Sequence, residues 1–150
     1  MSHRLIKPIR MVRDEYDAAR AALALTVRLW PSVHAEPELV GATERALRTA
    51  AKNLEATYTM RLFAEFEALL RAQYPRSRPG RSLPNNSDGL IAGLGSRYQI
   101  PAAERNRVHK VRVFRHSVAH AEPGAEPVAF IDALSWLCQY LAFIPDVDVP

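Results

Sequence analysis

The sequence predicts an all-α fold in a single domain, and three observations predict it. Apolar residues recur three, four and seven apart through most of the 150 residues. Clusters of proline, glycine and asparagine interrupt that rhythm at intervals suited to a bundle of about four to five helices. No stretch of useful length alternates apolar and polar residues as a half-buried strand does, and no internal repeat occurs. At 48% apolar content a chain of this length buries a core without metal or disulfide staples.

The elements follow in order. Residues 1–13 read as a basic extension with Arg4, Lys7, Arg10 and Arg13, lacking the continuous apolar core of a secretory signal. A first helix is expected from Asp14, as N-cap, to just before Pro31, with Leu23, Val27 and Trp30 facing inward. A second pattern runs from Pro37 toward Tyr74 through Leu47, Leu54, Tyr58, Leu62, Phe66 and Leu69, with a break admissible near Asn53. Residues 75–88, PRSRPGRSLPNNSD, read as an exposed basic loop. Ser87 then caps a short helix ending near Gly93 or Gly95, and Pro101 opens a helix that AEPG stops after His120. The closing helix, about 128–144, carries one stripe of Phe130, Leu134, Leu137 and Leu141 and another of Trp136, Tyr140 and Phe143. Its Asp132 and Gln139 make it a core helix rather than a membrane span.

The single cysteine, Cys138, fits a buried thiol and a reducing, cytoplasmic setting. Charge is uneven: ten Lys or Arg stand between Arg71 and Arg115 against Asp88 and Glu104, whereas residues 116–150 hold five acids and no Lys or Arg. A basic field confined to mid-chain suits a polyanion better than a small neutral ligand.

That field ends at Arg115-His116-Ser117-Val118-Ala119-His120. Arginine and histidine are the residue types that metal-free phosphodiester cleavage needs: a permanent cation for the added transition-state charge and a group that exchanges protons near neutral pH. RNA supplies its own nucleophile, the 2′-hydroxyl beside the scissile phosphate. The string resembles the active-site motif of the HEPN family, in which Arg, often followed by a polar residue, precedes His by a gap of four to six residues. The resemblance also covers the basic helix, the Gly/Pro break and the apolar closing helix.

The resemblance implies a HEPN-like helical bundle and a homodimer whose two motifs line one cleft. It also implies an endoribonuclease needing no metal or other cofactor, set in a toxin–antitoxin or phage-defence module. Arg115 and His120 take the catalytic roles, and His116, Arg112, Lys110 and Arg107 bind substrate RNA. An antitoxin or a nucleotidyltransferase is the implied partner; the tyrosine that such transferases modify in some HEPN toxins is not found here, where Ala121, Glu122 and Pro123 follow the motif.

Other readings of the same residues stay open. A non-catalytic helical module binding RNA or protein through this surface shares every feature but the site geometry, and a scaffold active only with a partner is a third. His116 and His120 have the four-residue spacing by which imidazoles share zinc, but His109 lies about 10 Å from His116 along the axis, so no metal is assigned. Gly89, Gly93 and Gly95 lack the strand and the Lys-Ser/Thr of a phosphate loop. Arg61 and Glu65 are spaced to pair on one helical face. Residues five apart on an ideal helix point about 140° away from each other, so Arg115 and His120 meet only if the last turn loosens, the arginine reaches around, or a dimer mate completes the site.

Overall fold

The computed structural model describes residues 7–145. The protein is all-α: α1 (Lys7–Val33), a 3-10 turn (Pro37–Leu39), α2 (Glu44–Ser77), α3 (Ser87–Arg97), α4 (Ala102–His120) and α5 (Phe130–Leu141), with no strand among the described residues. None of these helices is long and apolar enough to cross a membrane.

The central element is α2, which packs on all four other helices. Its 34 residues span about 50 Å without a break at Asn53. Thr43 starts it by accepting the Ala46 amide at 3.1 Å. Its second half buries Leu62, Phe63, Phe66 and Leu70 completely against Leu90, Ile91 and Leu94 of α3 and Leu137 and Tyr140 of α5. The Phe66 and Tyr140 rings meet edge-on at 5.6 Å. Buried Tyr140 donates its hydroxyl to the Ile91 carbonyl at 2.6 Å, and burial pushes that hydroxyl's pKa up.

Several boundaries differ from the sequence expectation. Of the expected basic extension, residues 1–6 lie outside the described residues, and 7–13 are helix, because Ile9, Val12 and Tyr16 continue one apolar stripe into the core. Asp14 therefore lies inside α1 and caps nothing, its carboxylate instead taking the Arg13 guanidinium. The stripe of Leu23, Val27 and Trp30 is only half-buried.

Neither Pro31 nor Pro75 stops its helix where it stands; each lies two residues before the end. So close to a terminus proline forfeits little, since the carbonyl before it still accepts an amide beyond: His34 to Trp30 at 3.1 Å, Arg78 to Tyr74 at 2.9 Å. The loop expected at 75–88 is thus shortened to 78–86.

Asn86, not Ser87, caps α3, accepting the Gly89 amide at 2.8 Å. Gly93 and Gly95 do not end that helix but let neighbours approach: a Cβ at Gly93 would lie 2.7 Å from the Tyr74 ring, and one at Gly95 2.6 Å from Arg105 Cδ. The helix ends at Arg97 and is closed by Gln99, left-handed at φ 52°, with the Ile100 amide returning to the Gly95 carbonyl at 2.9 Å.

From Asp17 to Tyr58 no side chain is fully buried. The second half of α1 and the first half of α2 thus form a two-helix arm projecting from the core. At its base Tyr16 stacks on Phe130 at 4.0 Å and donates to Glu55 at 3.0 Å. Arg61 does not pair with Glu65; it crosses to Glu15 of α1 and lies over the Tyr58 ring.

Candidate functional site

α4 carries the motif, and two of its faces have different tasks. Val108 and Val111 are fully buried and turn toward the bundle. Four residues beyond Val111, Arg115 continues that stripe and is half-buried. His109, Val113, His116 and His120 follow spacings of four, three and four, which places them together on the outward face.

The helix stays α-helical to its last residue and closes on Ala121, left-handed at φ 52°. The Ala121 and Glu122 amides both return to the Ser117 carbonyl, the latter at 2.9 Å. The last turn therefore does not loosen, and Arg115 and His120 point about 140° apart around the axis. One chain does not bring the two expected catalytic residues onto one face.

It does bring the two motif histidines together. The His116 and His120 rings lie 4.4 Å apart and both are exposed; His116 Nε2 is 3.7 Å from a Glu122 carboxylate oxygen. Two imidazoles side by side offer proton acceptance and donation at one place. The helix end presents carbonyls rather than amides, so a phosphate there must be held by side chains.

The remaining expected substrate-binding residues divide. Arg107 is bound to Glu104 and to Gln139 of α5. Arg112 is held by His109 at 3.3 Å and Asp88 at 3.7 Å. His109 Nδ1 also lies 3.3 Å from Asp88, so that nitrogen accepts from Arg112 when bare and donates to Asp88 when it carries the ring hydrogen. Lys110 has no ion-pair partner among the described residues.

The mid-chain basic field is similarly reduced by structure. Arg78 donates to the Gly93 carbonyl at 2.8 Å, Arg97 to the Ser77 carbonyl at the end of α2, and Arg71 to Glu67 and the Pro84 and Asn85 carbonyls. These guanidiniums fasten the 78–86 loop and the helix ends.

Sequence reasoning missed a groove of about 370 Å³ between α4, α5 and the segment joining them, lined among others by Asn106, Lys110, Val113, Glu126, Asp132 and Trp136. Its signal was present in the spacing of Asn106, Lys110 and Val113, but the joining segment reads as a mere stop. Among the described residues no group of three or more His, Cys, Asp or Glu is arranged to hold a metal ion. Compared with protein-family models, with curated proteins and with solved structures, the chain matches none.

Proposed function

We propose that the protein is a metal-independent endoribonuclease acting as a homodimer, in a toxin–antitoxin or phage-defence setting. The observation that carries this reading is the exposed His116–His120 pair, with rings 4.4 Å apart, at the end of the helix that also bears Arg115. The 2′-oxygen of RNA attacks the adjacent phosphorus as the bond to the 5′-oxygen breaks, leaving a cyclic phosphate and a free 5′-hydroxyl. His120 takes the 2′-proton, and the proton it gains is available to the leaving oxygen; His116 hydrogen-bonds the phosphate. Arg115 balances the charge on the phosphoryl oxygens and, given its position around α4, is supplied to each His120 by the other copy. Lys110 meets a neighbouring phosphate.

A second reading, a binding module without cleavage, is favoured by the same divergence of Arg115 from His120. Cleavage of single-stranded RNA in EDTA separates the two. The parent protein is expected to cut, and Arg115→Ala and His120→Ala each to lower the rate about 100- to 10,000-fold. Retention of RNA affinity with no cleavage by the parent would establish the binding module and remove the enzyme.

A further inference from the structure

The groove beside α4 shares that helix's outward side with the histidine pair. Asn106, Lys110 and Val113 line it on α4, Glu126 on the joining segment, and Asp132 and Trp136 on α5. Its volume of about 370 Å³ falls within the usual range of small-ligand sites. Trp136 is half-buried, forming a wall whose ring is held by the fold yet open to the groove. Val113, an apolar residue left 47% exposed, borders the same space. Lys110, Glu126 and Asp132 converge on it without an ion-pair partner among the described residues.

We propose that this groove is a nucleobase subsite for single-stranded RNA, seating one base against Trp136 while Lys110 takes the adjoining phosphate; this rests on the ribonuclease reading of the histidine pair. Three features select that ligand. An indole wall suits a planar π-system, which any base presents. Two carboxylates on the rim accept hydrogen bonds from exocyclic amino groups, so cytosine, which has one, is favoured over uracil, which has none. Lys110 precedes His120 by ten residues, about 15 Å along the axis, so a strand anchored in the groove runs along the outward stripe toward the histidines.

The test uses the full chain carrying Trp30→Phe, so that only Trp136 reports by fluorescence, and His120→Ala, so that RNA is not consumed. Short oligocytidylate is expected to quench Trp136 and to bind more tightly than oligouridylate. Trp136→Ala should weaken binding about 5- to 150-fold. Glu126→Gln with Asp132→Asn should level the cytosine–uracil difference, and Lys110→Ala should flatten the salt dependence by about 0.7 in log–log slope. These three positions are exposed, so their variants keep the question answerable if the Trp136 change disturbs folding.

Quenching with base discrimination, in a protein whose parent form cuts no RNA, would uphold the groove and reject the nuclease. RNA cleavage by the parent with Trp136 silent and the rim variants without effect would uphold the nuclease and overturn the groove. Occupancy by an apolar peptide with no response to RNA would overturn it as well.

Discussion

At Gly93 and Gly95 two glycines on one helix meet different neighbours, and substitution should separate them. Alanine at either position gains about 1 kcal/mol of helix propensity. At Gly93 the new methyl meets the ring of Tyr74, a residue only 7% exposed and hence without room to withdraw. At Gly95 the nearest atom belongs to the flexible side chain of Arg105, whose buried Nε has no hydrogen-bond partner to lose. Urea denaturation should therefore show Gly93→Ala destabilised by about 1–3 kcal/mol and Gly95→Ala by clearly less; equal losses would mean Tyr74 moves freely. The residue types of the candidate site were legible in the sequence, since the proposed phosphodiester chemistry restricts the choice and Arg115, His116 and His120 stand together. Their orientation was not. Whether the final turn loosens is decided by Ala121 adopting a left-handed conformation that an alanine side chain does not announce.

Among the helices the arm and the core should behave as different units. The stretch 17–58 holds no fully buried side chain, while 59–74 of the same α2 holds eight buried residues. Hydrogen exchange should show arm amides opening at free energies well below the global value of about 5–15 kcal/mol, with protection rising sharply beyond Thr59. Uniform protection along α2 would mean the arm is covered by something in solution. Existence and type of each helix were readable from period alone, because Leu62, Phe66 and Leu69 or Leu134, Leu137 and Leu141 mark a helical face in any context. Ends were harder. Asp14, Pro31 and Pro75 carry strong terminal signals, yet Ile9 and Val12 gain more from burial than Asp14 would gain as a cap, and a proline in a final turn costs few hydrogen bonds.

For the whole molecule the proposed homodimer sets the decisive question. If each site takes Arg115 from one copy and His120 from the other, mixing Arg115→Ala with His120→Ala should restore activity. Random re-pairing makes about half the dimers mixed, each with one intact site, so about a quarter of parental cleavage should return. A site built within one chain would return none. The all-α architecture was open to sequence reading because its periodicity is local; the arm and the groove depend on which helices lie side by side, and no short stretch of residues states that. One feature of α4 bears on all such experiments. Its exposed motif histidines, His116 and His120, stand on a side of the helix from which the hydrophobic interior takes nothing, so replacing them should leave melting behaviour untouched, and a lost rate in such variants reports lost chemistry or RNA binding rather than unfolding.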